Sequence, residues 1–114
     1  MKIQNAEKVP VSAVEGQGAE GVRIRWLIGK DDGAPNFYMR LFTVAPGGHT
    51  PLHSHKWEHE VYILAGQGVV RTADGRTAVA AGDVVFVTGG ELHQFANVGG
   101  AELKFLCLVP KTAT

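Results

Sequence analysis

Glycine or proline interrupts this chain at short intervals, and runs of β-branched and aromatic residues fill the gaps. Its 114 residues include 15 Gly and 5 Pro, and no segment reads as a helix. The pattern is that of many short strands joined by turns. Val22, Ile24, Trp26 and Ile28 alternate along 22–28 and are expected on one face of a strand. Asp31-Asp32-Gly33 then makes a solvated turn. Further strands are expected over 37–44, 60–64, 69–72, 77–80, 83–87, 93–97 and 103–109. Pro46-Gly47-Gly48 closes the first of these and Gly66-Gln67-Gly68 the second. Asp74-Gly75 reads as a two-residue hairpin turn, because both central positions favour positive φ. Eight or nine strands at this spacing belong to an all-β sandwich or barrel. With no linker or repeat, residues 1–114 read as one domain, in which 1–20 form either an irregular arm or a strand that pairs with a neighbouring chain.

Composition narrows the function classes. Eleven basic residues balance eleven acidic ones, with no basic run, so neither nucleic acid nor an anionic membrane is an expected partner. No apolar run approaches the roughly 20 residues that span a bilayer. Residues 1–8 lack the apolar core of a secretory signal. The single cysteine, Cys107, rules out an internal disulfide and fits a reducing compartment, so the expected location is the cytoplasm.

The chemistry lies in the histidines. Four of the five, His53, His55, His59 and His93, fall in two short blocks. On a strand, residues two apart face the same side, so His53 and His55 are expected to point together into the barrel. A closed sheet can bring His93 opposite them, and imidazoles that converge to about 2.0–2.1 Å from a common point make a metal site. His49 lies outside this spacing and reads as a surface or hydrogen-bonded histidine.

These residues carry a resemblance. Gly47-x5-His53-x-His55-x3-His59-x6-Gly66 resembles the first cupin motif, G-x5-H-x-H-x3,4-E-x6-G. Gly82-x5-Thr88-x-Gly90-x2-His93-x3-Asn97 resembles the second, G-x5-P-x-G-x2-H-x3-N. Fifteen residues separate the blocks, as in the small single-domain cupins. Two positions depart from the pattern. Thr88 stands in place of proline, and His59 stands where the family places glutamate. Counting back from Gly66 assigns that position to His59; under the longer spacing Glu60 is the alternative ligand, and adjacent strand residues cannot both reach one ion. The stretches 34–44, 53–60 and 105–111 are similar to a four-histidine manganese cupin of thermophilic bacteria. The resemblance implies a jelly-roll (double-stranded β-helix) barrel, a manganese site with two open positions, and a homodimer that exchanges N-terminal strands. Ligand chemistry alone favours Fe2+ or Zn2+, with Ni2+ and Cu2+ also suited to imidazole.

Three further residues are candidates around the ion. Cys107 is either a small buried hydrophobe or a thiol at the mouth of the site. Arg40 can hold an anionic substrate group from inside the barrel, or pair with a carboxylate outside it. Phe105, with Phe42, Phe95 and Trp57, can pack the core or form a platform for a small-molecule substrate. The leading expectation is a Mn- or Fe-dependent oxidoreductase of the dioxygenase type, cleaving a C=C or C–C bond in a small apolar or aromatic molecule. The alternatives are a metal-dependent isomerase or lyase acting on a sugar or ketone, and a non-catalytic module that binds a metal or small ligand.

Overall fold

The computed structural model describes residues 1–113, which form nine strands in one curled sheet. The strands are β1 (Ser12–Ala13), β2 (Glu20–Ile28), β3 (Phe37–His49), β4 (His59–Ala65), β5 (Gln67–Thr72), β6 (Gly75–Ala80), β7 (Val84–Val87), β8 (His93–Asn97) and β9 (Leu103–Pro110). Their order is β6-β5-β8-β3-β9-β4-β7, with β2 also on β3 and β1 on β2. All pairings are antiparallel. This is the all-β jelly roll that the turn spacing and the motif resemblance imply.

β3 is the hinge of the arrangement. It continues for 13 residues straight through Pro46-Gly47-Gly48, where a turn was expected. Gly47 takes φ 81°, so the chain kinks there without leaving the sheet. Residues 37–44 pair with β9, and His49 pairs with Ala96 of β8. One strand thus borders both halves of the curl.

Pleat alternation decides what points inward. On β9, Leu103, Phe105, Cys107 and Val109 are buried, and the residues between them are not. On β4 the inward residues are His59, Val61 and Ile63; on β8 they are His93, Phe95 and Asn97. β2 departs from simple alternation. A register shift between Trp26 and Ile28 sets Trp26 opposite Arg40 and Ile28 opposite Met39, so Ile28 leaves the face that Val22 and Ile24 share. The 72–75 hairpin also differs from expectation. Its loop is Ala73-Asp74, braced by the Asp74 N–H donating to Thr72 Oγ1 at 3.3 Å, and only Gly75 has positive φ, at 139°. Asp31-Asp32 forms a 3-10 turn in which the Asp32 carboxylate accepts from Lys2 Nζ at 2.7 Å.

Asn97 ties the end of β8 to β3 and to the turn that leads into β9. Its Nδ2 donates to Val44 O and Ala101 O at 2.8 Å each, and its Oδ1 accepts from Gly99 N at 2.9 Å. Thr88, in the place of a proline, closes the turn before β8 by donating from N and Oγ1 to Glu91 Oε1, both at 3.2 Å. The arm before β2 contributes β1, which pairs with β2 of its own chain.

Candidate metal centre

β4 carries His59 into the barrel and β8 carries His93. His53 and His55 lie in the loop between β3 and β4, so their shared direction does not come from a strand pleat. An isolated bridge sets His53 instead: its N–H donates to His93 O at 3.1 Å, and the His93 N–H donates back at 2.9 Å. Gly90 N–H donates to His55 O at 2.6 Å, tying the loop to the second motif. Ring nitrogens of His53, His55 and His93 lie within 4.8 Å of one another and can hold a metal ion. The His59 ring centroid is 4.5 Å from that of His55 and 5.2 Å from that of His93.

Hydrogen bonds prepare these rings as ligands. His93 Nδ1 donates to Glu91 O at 2.8 Å and His55 Nδ1 donates to Trp57 O at 3.2 Å. A neutral ring that donates from Nδ1 keeps a bare lone pair on Nε2. His59 Nε2 is 2.9 Å from His55 Nε2. Two ligands at right angles on a shared ion, each about 2.1 Å from it, stand about 3.0 Å apart. The 2.9 Å separation is that of two neighbouring ligands of one octahedral ion, and also that of a hydrogen bond between the rings; the group whose ring nitrogens all lie within 4.8 Å of one another is His53, His55 and His93, without His59. The donor set fits a transition metal.

Burial and neighbouring charge disfavour the protonated form of three rings, His53, His55 and His59. Burial holds the pKa of His53 and His55 below the ordinary value, with charge repulsion from the neighbouring imidazoles and Arg40 acting the same way. His55 gains a partial offset from its bond to Trp57 O. His59 is lowered to about 3, mainly by burial and then by the Arg40 charge. Neutral imidazole is the form that binds metal.

The histidines open onto a cavity of about 240 Å³. Phe42, Phe95, Phe105 and Trp57 wall it, and no Asp or Glu lines it. Phe105 stacks between Phe42 and Phe95, with ring centroids 5.2 and 4.7 Å away.

The cupin domain family matches residues 40–109, a span that holds all four histidines. The chain belongs to the cupin family. Over 114 aligned residues it is 33% identical to an oxalate-binding protein of Thermotoga maritima, covering 96% of this chain and 93% of that one. A solved structure of the polyketide cyclase RemF from Streptomyces resistomycificus superposes with TM-score 0.92 at 35% identity, covering 97% of this chain and 80% of that one. A 1-methylthio-D-xylulose 5-phosphate methylsulfurylase of Rhodospirillum rubrum is 41% identical over 71 residues, 62% of this cupin but only 46% of that protein.

The other sequence candidates divide clearly. Arg40 lies inside, opposite Cys107 on β9, and not in an outward salt bridge. Its Nη2 donates to Cys107 Sγ at 3.1 Å and lies 3.4 Å from His59 Nδ1; its Nε is buried without a hydrogen-bond partner. The guanidinium stacks 5.0 Å from the Phe42 ring centroid. Cys107 is buried in the wall with Sγ 3.3 Å from His59 Nδ1, and does not stand at an open mouth. Burial pushes its thiol pKa up, while the Arg40 charge and hydrogen bond pull it down. Phe105 is fully inside. Glu60 points out of the barrel, and His49 stays outside the cluster, with Nδ1 donating to Thr50 O at 3.3 Å.

Val14 and Gln17 also line the cavity, and sequence reading missed both. Gln17 is the one non-glycine among the described residues with positive φ, at 54°. Its glycine neighbours, Gly16 and Gly18, also have positive φ, at 79° and 86°. The sequence offered no clear signal for it, since the same Gly-Gln-Gly triplet recurs at 66–68, where Gln67 does not take positive φ.

Proposed function

We propose that this cupin is a metal-dependent enzyme whose substrate is a small, planar, oxygen-bearing molecule, and that His53, His55, His59 and His93 together hold the ion. The observation that carries this reading is a cluster of imidazoles in a cavity with aromatic walls and no carboxylate. Its volume, about 240 Å³, lies just under the usual range of roughly 300–1,000 Å³ for small-molecule pockets, which favours a compact substrate. When bound, the ion acts as a Lewis acid and anchors substrate oxygens. The family resemblance favours Mn2+, with Fe2+ second.

The residues supply the rest. Phe42, Phe95, Phe105 and Trp57 exclude water and hold a flat ring system. The orphaned Arg40 Nε is a donor for an oxyanion or enolate oxygen inside the cavity. Cys107 accepts from Arg40 and orients the His59 ring. The likeness to a polyketide cyclase over nearly the whole chain favours non-redox carbonyl chemistry, such as ring closure or isomerisation. Oxidative C=C or C–C cleavage is the second reading. What favours it is the missing carboxylate, since non-redox C–C chemistry needs a group to move a proton and the cavity offers only imidazoles and the thiol.

Elemental analysis of the purified protein, then assays with polyketide-like and phenolic ketones with and without oxygen, test the proposal. Equal turnover with and without oxygen, lost in His93→Ala, supports the first reading. Turnover only with oxygen supports the second. Protein that takes up no transition metal overturns both.

A further inference from the structure

Polar side chains around the cavity divide into donors and acceptors. Arg40 and the Trp57 indole can only donate. A histidine that holds an ion through one ring nitrogen carries its proton on the other, so it donates as well. The Thr50 hydroxyl is spent on Phe95, accepting from its N–H at 2.8 Å and donating to its carbonyl at 3.4 Å. Cys107 Sγ accepts from Arg40 Nη2 at 3.1 Å and lies 3.3 Å from His59 Nδ1. No Asp or Glu lines the cavity. The acceptor side chain left with open capacity is the Gln17 amide, which makes no hydrogen bond among the described residues.

Gln17 stands at the rim. It belongs to the tip of the β1–β2 hairpin, where Val14 N donates to Val22 O at 2.9 Å and Ala19 N to Gly16 O at 3.0 Å. Its side chain is exposed yet borders the cavity, so it sits where the cavity opens. Its φ of 54° is one that glycine adopts freely and that a residue with a Cβ adopts at a cost. Gly16 and Gly18, on either side, take positive φ with open space around them. A third glycine would serve the turn; the chain instead holds an amide over the opening. A strained position of this kind points to work for the side chain it carries.

We propose that Gln17 selects the substrate, its Oε1 accepting a hydrogen bond from the substrate's outer edge. The inference rests on the cavity being the site of a small, planar, oxygen-bearing molecule, and it narrows that class. The inner end of such a molecule meets the ion and the orphaned Arg40 Nε, so it must present bare oxygens there. The outer end meets an acceptor, so it must present an O–H. The substrate class is then a planar ketone or enol whose far edge carries a free hydroxyl. Turning the amide offers an N–H to an ether oxygen instead, but an aryl ether is a poor acceptor because its lone pair is shared with the ring.

The test is isothermal titration calorimetry of the manganese-loaded full chain with two phenolic ketones. Resacetophenone carries one hydroxyl beside its acetyl group and another across the ring; paeonol is the same molecule with the far hydroxyl methylated. Wild type is expected to bind resacetophenone about fivefold more tightly than paeonol, the worth of one hydrogen bond. Gln17→Met, which removes the acceptor, is expected to bring the two within twofold. Gln17→Glu, which keeps an acceptor oxygen, is expected to retain the preference. Both variants keep a side chain at the strained position, so the backbone cost is common to all three proteins. A wild type without the preference overturns the proposal, and so does a preference that survives in Gln17→Met; both results leave the cavity as a site for planar ketones. Manganese-loaded wild type that binds neither ketone overturns that reading of the cavity and this proposal with it.

Discussion

His59 and Glu60 are neighbours in sequence and opposites in space. The pleat of β4 turns His59 into the barrel with Val61 and Ile63, and turns Glu60 outward with Tyr62 and Leu64. Adjacent residues of a regular strand cannot exchange sides without a slip of register. Of the two residues that could take the family's glutamate position, His59 is the one that faces the cavity. With all four rings as ligands, the ion keeps its full charge, which favours anionic or enolate oxygens. His59→Ala is expected to lower metal affinity at least tenfold, and Glu60→Ala to leave it within twofold, both measured by competition with a fluorescent chelator. Metal lost from Glu60→Ala and kept by His59→Ala would reverse the assignment. The inward direction of His59 agrees with the motif spacing counted back from Gly66. The setting of Arg40 was not legible: nothing in its sequence neighbourhood says that it stacks on Phe42 and meets Cys107, a pairing created by register between strands 67 residues apart.

At the level of elements, glycines place the strands that place the histidines. Gly66 sits between β4 and β5 with φ 86°, and a Cβ there would lie 2.4 Å from Glu102 O. Strain and close approach combine at this one residue. Gly66→Ala is expected to cost about 2 kcal/mol or more, read from urea unfolding with the metal removed. A cost below about 0.5 kcal/mol would show that the β4–β5 turn can relax and that Gly66 does not set the register of β4. Strand positions were largely legible, because alternation and turn residues are local signals. The errors lie where tertiary pairing overrides them. β3 runs on through Pro46-Gly47-Gly48 because β2 and β8 supply partners beyond the kink. The register shift in β2 moves Ile28 across the sheet, which alternation alone cannot reveal. His53 and His55 converge through a bridge to β8 and not through a pleat, so the expected grouping arises from a different cause.

Over the whole molecule, the same burial that prepares the histidines makes the metal-free protein sensitive to acid. In the unfolded chain these imidazoles titrate near 6.5; in the folded one His53 and His55 are lowered, and His59 falls to about 3. Above pH 6.5 both states hold the rings neutral and their contribution to stability is complete. As pH falls below 6.5, the unfolded chain takes up protons that the folded chain refuses, so unfolding becomes easier. For His59 the loss continues down to about pH 3, where the folded ring also titrates. Between pH 7 and 5 most carboxylates stay ionised, so the histidines dominate this window. The melting temperature of chelator-treated protein is expected to fall by on the order of 5 °C from pH 7 to pH 5. His59→Gln should flatten that dependence, because its amide carries no titrating proton. Bound metal should raise the melting temperature at pH 7 and lose its hold as acid protonates the ligands. A slope in His59→Gln as steep as in the wild type would assign the acid sensitivity to groups outside the metal centre.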